Sequence, residues 1–362
     1  MKRSARIIIH PESLQHNLLR AKKAAPNSKI SAVIKANAYG HGALDTAGIL
    51  YQVADSFAVS CISEAVELRQ AKIDKPITVL QGHQSMDDLR IAENYQLRLT
   101  LHEQQQLKLL DDYPGNFRFE LNLKIDTGMH RLGFPAEQAG QIYHRLQKHH
   151  QVKPDQLLLM THLSCADERK NNYTRQQLER FKQVCSHLPA QQSIANSAGI
   201  LGWKESHSDW IRPGIMLYGS SPFAETHRDE LDLKAAMTLK APVISIHQLK
   251  KGDYIGYAAT FKCPRDMNVA VIACGYADGY PRHAATGTPV LINGQLTRLL
   301  GRVSMDMIVV DISHLDDNTV KVSDLAELWG ENLSVDIIAH HAETIGYELL
   351  CNAGNNCAIY GT

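Results

Sequence analysis

The chain has 362 residues and carries 38 Lys and Arg residues against 38 Asp and Glu residues, so its formal net charge is zero. This balance gives no electrostatic reason to expect nucleic acid or an anionic membrane surface as a partner. The length predicts two domains, and a hydrophobic content of 44% is ordinary for a globular protein.

The apolar segments, the cysteines and the histidines exclude further classes of protein. No segment reaches the roughly 20 apolar residues that a transmembrane helix needs. The apolar run at Ile7–Ile9 is too short for the core of a signal peptide, so we expect a cytoplasmic protein. Seven cysteines without a Cys-x-x-Cys pair and 18 histidines without chelating spacing predict neither a disulfide framework nor a metal site.

Strand-like and helix-like segments alternate between about residue 30 and residue 220. The strand candidates are Ile30–Ile34, Ser56–Ser60, Ile77–Gln81, Leu97–Leu101, Phe117–Lys124, Leu157–His162, Gln192–Asn196 and Trp210–Tyr218. Eight such β/α units in succession predict an α/β fold with an N-terminal (β/α)8 TIM barrel. No Gly-x-Gly-x-x-Gly follows the first strand, which disfavours a dinucleotide-binding fold.

The pattern changes after about Lys234, where short strand-like runs are separated by turn signals. These runs are Val243–His247, Tyr254–Tyr257, Val269–Cys274, Val290–Ile292 and Met307–Ile312. We therefore predict a barrel domain at residues 10–233 and a C-terminal, mostly-β domain at residues 234–362. Residues 1–9 are expected to pack with the second domain.

The most informative segment is Ser-Ala-Val-Ile-Lys-Ala-Asn-Ala-Tyr-Gly-His-Gly, residues 31–42, because it places Lys35 at the end of a buried strand. An ammonium group there is costly unless it is paired or used chemically. Desolvation lowers the pKa of a lysine, and a lysine of this kind can form a Schiff base with a carbonyl. Lys35 is therefore our candidate for covalent catalysis.

Further reactive side chains fall at the ends of the predicted barrel strands, where the active sites of such barrels lie. They are Tyr39, Lys124, Arg131, His162, Asn196, Ser197 and Arg212. The loops after the last two strands commonly form a phosphate site. Ser197 supplies a hydroxyl there, and Gly214 lets backbone N–H groups approach a ligand closely. A Schiff-base lysine beside a phosphate site predicts pyridoxal 5′-phosphate (PLP) as cofactor, with Arg212 as the partner of its pyridine nitrogen.

Five motifs in this order resemble the alanine racemase family, the barrel-fold (fold-type III) class of PLP-dependent enzymes, over nearly the whole chain. The motifs are Ala-Val-Ile-Lys-Ala-Asn-Ala-Tyr-Gly-His-Gly (32–42), Lys-Ile-Asp-Thr-Gly-Met-His-Arg-Leu-Gly (124–133), Arg-Pro-Gly-Ile-Met-Leu-Tyr-Gly (212–219), Gly-Tyr-Ala-Asp-Gly-Tyr (275–280) and Gly-Arg-Val-Ser-Met-Asp (301–306). The resemblance implies racemisation of L-alanine and D-alanine, with the D-alanine supplied to peptidoglycan.

The resemblance also implies a two-base mechanism in a head-to-tail homodimer with shared active sites. Lys35 would hold PLP and act on one face of the substrate Cα, and Tyr276 of the partner subunit would act on the other face. Met305 and Asp306 would belong to the substrate pocket that the partner supplies.

The remaining matches imply roles around the cofactor. Arg212 would bond the pyridine nitrogen and His162 would lie against the ring, while Arg131 would orient the phenol and the substrate. The phosphate would be held by Tyr39, Ser197, Gly214 and Ile215, next to Asn196. Lys124 matches a position that is carbamylated in some family members.

Two questions stay open at this point. The tail has Asn355 about where many members are expected to place a phosphate-binding tyrosine, so the affinity for phosphate is expected to differ. The alternatives are a broader-specificity amino-acid racemase, a PLP-dependent amino-acid decarboxylase of the same fold, and a non-catalytic PLP carrier. The absence of a signal peptide disfavours the first, missing signature motifs disfavour the second, and the C-terminal domain disfavours the third.

Overall fold

The computed structural model describes residues 4–316 and 319–360, with the backbone alone for 358–360. Residues 1–3, 317–318 and 361–362, which belong to the predicted domain ranges, lie outside the described residues. The strands are β1 Arg6–Ile9, β2 Lys29–Val33, β3 Ser56–Val59, β4 Ile77–Val79, β5 Arg98–Leu101, β6 Leu121–Asp126, β7 Phe134–Pro135, β8 Leu158–Met160, β9 Gln191–Ser193, β10 Trp210–Ile211, β11 Met237–Leu249, β12 Tyr254–Ile255, β13 Phe261–Lys262, β14 Met267–Ile272, β15 Pro289–Ile292, β16 Gln295–Leu300, β17 Ile308–Asp311, β18 Leu325–Trp329 and β19 Ala358–Tyr360.

Helices follow most strands of the first half and return near the C-terminus. They are α1 Pro11–Ala24, α2 Lys35–Gly40, α3 Ala43–Leu50, α4 Ile62–Gln70, α5 Met86–Asn94, α6 Gln104–Asp111, α7 Ala136–Gln147, α8 Tyr173–Cys185, α9 Ser197–Gly202, α10 Val335–His341 and α11 Gly346–Asn356. Single turns of 3-10 helix lie at Pro154–Gln156, Lys204–Ser206, Ile215–Tyr218, Arg228–Leu231, Tyr257–Ala259 and Tyr276–Asp278. Over residues 4–316 and 319–360, no helix has the length and apolar character that crossing a bilayer requires.

The first half is a closed parallel barrel, which confirms the predicted (β/α)8 fold. Its strands are β2, β3, β4, β5, β6, β8, β9 and β10. β5 pairs with β6 through Leu99 and Leu121, and β10 pairs with β2 through Ile211 and Ile30, so the ring has no free edge. Parallel strands covered by helices are buried on both faces, which explains their continuous apolar sequences.

Side chains fill the inside of the barrel below the C-terminal ends of its strands. Leu158, Met160 and Trp210 form a small apolar cluster of their own, against which Leu80 packs. The guanidinium of Arg98 lies 5.6 Å from the Trp210 ring, on the side of the cluster away from the strand ends. The barrel is therefore a packed core rather than a pore, and a cavity at its mouth has a floor.

The second half is an eight-stranded sheet with the order β14-β17-β16-β15-β18-β11-β1-β19, in which β14 also pairs with β11. β11 is its longest strand: residues 237–242 pair with β1 and β18, and residues 243–249 pair with β14, with a shift of register between Val243 and Ser245. β1 pairs antiparallel with β11 through Ile8 and Thr238, so the first strand of the chain lies in the C-terminal sheet. Helices α10 and α11 accompany this sheet.

Helix α11 leaves the sheet and packs directly on the barrel. A Cβ atom on Gly40 would lie 2.4 Å from the carbonyl oxygen of Leu350, and one on Gly354 would lie 2.1 Å from the carbonyl oxygen of Gly40. No side chain fits in either place, so the two backbones touch. This contact fixes α11 against the segment that follows the first barrel strand.

The prediction of a strand over Trp210–Tyr218 is wrong in its second part. The strand ends at Ile211, and Ile215–Tyr218 is a 3-10 turn. Pro213 has no N–H to donate and Gly214 permits a sharp change of direction, so the chain turns across the mouth of the barrel instead of continuing. The remaining barrel strands differ from the predicted bounds by a few residues.

Candidate active site

A cavity of about 580 Å³ opens at the C-terminal ends of the barrel strands. Its walls contain every barrel residue that the sequence singled out, namely Lys35, Tyr39, Lys124, Arg131, His162, Asn196, Ser197, Arg212, Gly214 and Ile215. A wider groove of about 900 Å³ between Pro26, Phe181 and Asp209 contains none of them. The candidate site is therefore the cavity at the barrel mouth.

Lys35 starts an unusual segment, because the four residues after it form a left-handed turn. Ala36, Asn37, Ala38 and Tyr39 all have φ between 51 and 53°. Each such residue costs about 1–2 kcal/mol relative to a right-handed helix, so the segment persists only with support. Part of that support is Glu64, whose carboxylate accepts from the backbone N–H of Ala36 at 2.7 Å. Sequence patterns predicted a loop here and gave no sign of its handedness.

The lining of the cavity is strongly cationic. Lys35, Lys124, Arg131 and Arg212 all face it, and no aspartate or glutamate is among the described residues that line it. Burial, together with the positive charge of Arg131, lowers the pKa of Lys35 below its ordinary value. Burial and the charges of Arg212, Arg131 and Lys35 lower the pKa of Lys124 to about 8. A site with this excess of positive charge is suited to a ligand with several anionic groups.

Arg212 is held rigidly under the cavity. It is 5% exposed, and its guanidinium donates to the carbonyl oxygens of Thr161 at 2.6 Å and Ile194 at 3.2 Å, and to the hydroxyl of Ser193. The same group lies 3.4 Å from Nδ1 of His162, which must accept because a guanidinium has no acceptor. Burial and then Arg212 lower the pKa of His162 far below its ordinary value, so this imidazole is neutral.

The loops after β9 and β10 meet at the Ser197 hydroxyl. Its Oγ accepts from the backbone N–H of Gly214 at 2.9 Å and of Met216 at 3.3 Å. Asn196 also lines the cavity, but its amide caps α9 by accepting from Gly199 N–H at 2.9 Å. Ser197 and the backbone around Gly214 therefore form a small polar cradle next to Tyr39.

Replacing Gly214 with alanine is expected to weaken binding of an anionic ligand in this cradle by about tenfold. The new Cβ would lie 2.8 Å from the Tyr39 hydroxyl, so the phenol or the loop must move. The measurement is equilibrium dialysis of the protein against PLP. Gly140→Ala is the matched control, because Gly140 is in helix α7 with nothing within 4 Å and the change should leave affinity unaltered. Equal affinities for the two variants would show that the cradle tolerates the Cβ.

Replacing Lys124 with methionine is expected to stabilise the cofactor-free protein at pH 7 by roughly 2 kcal/mol. Because the pKa of Lys124 is lowered, the folded protein binds this proton less tightly than the unfolded chain does. Each pKa unit costs the folded state about 1.36 kcal/mol of stability, and the partial exposure of the side chain reduces this cost. Between pH 8 and 10.5 the unfolded chain keeps the proton that the folded chain has lost, so wild-type stability rises with pH in this window. The gain in the variant should therefore shrink above pH 8.

Denaturant unfolding at pH 7 and at pH 10 measures this difference. Lys23→Met, an exposed lysine on α1, is the control and should show no such pH dependence. A gain that is the same at both pH values would mean that packing, not charge, causes the stabilisation.

Helix α11 supplies residues that the sequence analysis did not single out. Tyr347 and Cys351 line the cavity, and the Tyr347 ring lies 6.0 Å from that of Tyr39. Asn355, which we expected at the place of a phosphate-binding tyrosine, is exposed one turn after Cys351 and does not line the cavity. The tyrosine of this helix that lines the cavity is Tyr347. A different affinity for phosphate stays a prediction.

Tyr276, Met305 and Asp306 lie together, but away from the cavity. The backbone N–H of Tyr276 donates to Ser304 O at 3.1 Å, and a Cβ on Gly275 would lie 2.5 Å from Asp306 N, so the two motifs touch along their backbones. Tyr276 is 41% exposed and Met305 56% exposed. Within one chain, the predicted site residues therefore form two separate groups: the barrel residues around the cavity, and this patch of the C-terminal domain.

The barrel, the C-terminal sheet and the lysine at the end of the first barrel strand define a class of barrel enzymes with a lysine-centred active site. Comparison with known families is more specific. The model described as "Alanine racemase, N-terminal domain" matches residues 9–222, and that described as "Alanine racemase, C-terminal domain" matches residues 236–360. The chain belongs to the alanine racemase family, as its motifs indicated, and is an enzyme of the isomerase class.

Relatives match over almost their whole length. The alanine racemase of Halorhodospira halophila is 45% identical over 97% of this chain and 96% of its own. The structure of the biosynthetic alanine racemase from Pseudomonas aeruginosa is 40% identical and superposes with a TM-score of 0.96 over 100% of both chains. The alanine racemase from Bartonella henselae, solved with covalently bound pyridoxal phosphate, is 27% identical with a TM-score of 0.87 over 99% of both chains.

Proposed function

We propose that this chain interconverts L-alanine and D-alanine with PLP as its cofactor. The observation that carries the proposal is the cavity with Lys35 at the end of the first barrel strand, four cations and no lining carboxylate among the described residues. The bound cofactor in the Bartonella henselae relative supports the same choice.

The residues of this chain fit PLP. The cofactor brings a phosphate and a phenolate, and the substrate brings a carboxylate, so their negative charges match the surplus cations of the cavity. The cradle of Ser197 and Gly214 is suited to the phosphate, and a Cβ at Gly214 would lie 2.8 Å from the Tyr39 hydroxyl beside it. Tyr39 and Tyr347 also line the cavity and provide hydroxyl groups across from this cradle.

Lys35 has two tasks in this proposal. Its amine would hold the carbonyl carbon of the cofactor, and as a free amine it would take or return the Cα proton from one face. The cofactor, when bound, withdraws electrons from Cα and so makes its proton removable. Burial and Arg131 lower the pKa of Lys35, which favours the neutral amine that both tasks require.

Arg212 and His162 would determine how strongly the bound cofactor withdraws electrons. Burial lowers the pKa of Arg212 to about 10, so it stays charged at neutral pH and can only donate a hydrogen bond to the pyridine nitrogen. A nitrogen without a proton is a weaker electron sink, which favours return of the proton to Cα over side reactions. His162, neutral and next to Arg212, would pack against the ring of the bound cofactor.

The second base in this proposal is Tyr276 of a partner subunit. Racemisation needs groups on both faces of Cα, and the exposed patch of Tyr276, Met305 and Asp306 lies outside the cavity of its own chain. A head-to-tail homodimer would bring that patch over the partner's cavity, where Arg131 would stabilise the phenolate and orient the substrate. A phenol acts as a base only with such cationic help.

Lys124 is the proposed site of carbamylation. Its neutral amine, favoured by a pKa of about 8, can attack the carbon of CO₂ to form an N–C bond and release a proton to solvent. The product is an anion next to Arg131 and would relieve the repulsion among the cations. We also propose that the D-alanine serves peptidoglycan synthesis, a role consistent with the biosynthetic relative from Pseudomonas aeruginosa, and that the protein acts in the cytoplasm.

Optical rotation tests the proposed function most directly. L-alanine incubated with PLP-loaded protein is expected to lose its rotation completely without release of CO₂. Release of CO₂ would instead identify a decarboxylase. Unchanged rotation with alanine, but loss of rotation with larger amino acids, would identify a racemase of different specificity.

A further inference from the structure

The left-handed turn at Ala36–Tyr39 determines where Lys35 and Tyr39 point, yet it is intrinsically unfavourable. Glu64 supports its first residue, and the Asn37 side chain accepts from Ala43 N–H at 2.8 Å. Neither bond reaches the carbonyl groups at the end of the turn. These carbonyls belong to Ala38 and Tyr39.

The side chain of His41 reaches both of them, and its backbone N–H also donates to the Ala38 oxygen at 3.0 Å. Its Nδ1 lies 3.1 Å from the carbonyl oxygen of Ala38 and 3.1 Å from that of Tyr39. Because both oxygens can only accept, Nδ1 must carry the proton, which fixes the tautomer of the ring. The side chain is 1% exposed, and burial lowers its pKa to about 4, so it is neutral under ordinary conditions.

His41 also belongs to a buried stack of rings that ends at the cavity. Its ring centroid lies 4.6 Å from that of Tyr218, which in turn stacks 4.6 Å from the ring of Tyr39. The Tyr218 hydroxyl donates to Val33 O at 2.8 Å, two residues before Lys35. The imidazole therefore contacts the turn through its carbonyls and, through Tyr218, both the Tyr39 ring and the end of the first barrel strand.

We propose that His41 is a positioning residue that holds the left-handed turn and thereby places Tyr39 at the phosphate end of the cofactor. It does not touch the ligand. This inference rests on the proposed binding of PLP, and it adds that the affinity for PLP depends on a hydrogen bond made outside the cavity.

Two substitutions separate the hydrogen bond from the bulk of the ring. His41→Leu fills the space but removes the Nδ1–H donor from both carbonyl oxygens, of which that of Ala38 keeps the backbone N–H of residue 41. We expect the dissociation constant for PLP to rise about tenfold. His41→Asn carries an amide N–H close to the place of Nδ1 and is expected to restore affinity to within about threefold of wild type. Equilibrium dialysis against PLP gives all three values.

His83→Leu is the matched control. His83 is also fully buried and bonds a single backbone carbonyl, that of Gln106 at 2.9 Å, but it does not line the cavity. The His83→Leu variant should lose thermal stability and keep its affinity for PLP. The inference is overturned if His41→Leu keeps wild-type affinity, or if Leu and Asn at this position weaken binding equally. Wild-type protein that binds no PLP would instead refute the proposed function.

A measurement on the wild-type protein tests whether Nδ1 of His41 is the donor, even if His41→Leu does not fold. Two-dimensional NMR of protein with ¹⁵N-labelled histidine reports which ring nitrogen carries the proton. We expect the Nδ1–H tautomer for His41, assigned by its disappearance in His41→Asn. The Nε2–H tautomer would remove the donor on which the inference depends.

Discussion

Replacing Lys35 with alanine is expected to abolish racemisation, with a loss of about 10⁴-fold or more. The change removes both the amine that we propose to hold the cofactor and the proposed base on one face of Cα. Polarimetry of L-alanine measures the overall loss. Proton NMR in D₂O measures the exchange of the Cα proton, which should stop for the enantiomer whose Cα–H bond faces Lys35, because no group remains on that face to exchange it.

The control for this experiment is Lys23→Ala, an exposed lysine on α1 far from the cavity, which should keep wild-type activity. Circular dichroism should show that both variants are folded. Retention of more than a small fraction of activity by Lys35→Ala would mean that another amine, with Lys124 the nearest candidate in the cavity, carries the reaction.

Two inactive variants are expected to regain activity when their subunits are mixed. Tyr276→Phe lacks the second base and Lys35→Ala lacks the first. If each site takes Lys35 from one chain and Tyr276 from the other, a mixed dimer has one intact site and one site with both defects. Random exchange makes half of the dimers mixed, so the mixture should reach roughly a quarter of wild-type activity.

Subunit exchange must be shown independently, by mass spectrometry of mixed dimers with one tagged chain. A mixture of two separately prepared Lys35→Ala samples is the negative control. Proven exchange without recovery would show that Tyr276 acts in its own chain or does not act at all, and it would remove the reason for a shared site.

The barrel and the cluster of candidate residues at its mouth could be predicted because they depend on local signals. A short β-branched strand followed by a lysine is visible in any window of the sequence, and so are the arginine and glycine of residues 212–214. Residues at the ends of parallel strands meet on one side of a closed ring, so their convergence followed from topology. The cavity contains the predicted side chains for that reason.

The features that escaped prediction depend on contacts between distant parts of the chain. Tyr347 lies more than 300 residues after Lys35 and reaches the cavity only because α11 packs on the barrel. The left-handed turn is set by Glu64, His41 and α11 rather than by the propensities of Ala36–Tyr39. Tertiary contacts override local preference at such sites.

Several strands of the C-terminal sheet were missed for a related reason. Gln295–Leu300 alternates polar and apolar residues weakly, with Leu296 59% exposed, and its place in the sheet is set by pairing with β15 and β17. Leu325–Trp329 has a composition equally suited to a helix. β-propensity depends strongly on neighbouring strands, and a single sequence does not contain them.

The contact between α11 and the turn after Lys35 has a consequence for synthesis of the protein. The ribosome makes the barrel first, and an N-terminal domain generally folds first. Tyr347, Cys351 and Gly354 belong to α11, which the ribosome makes long after the barrel strands. A nascent barrel therefore has Lys35 before it has the α11 wall of its cavity or the contact of α11 with the left-handed turn, and we expect firm retention of the proposed cofactor only once α11 has been made.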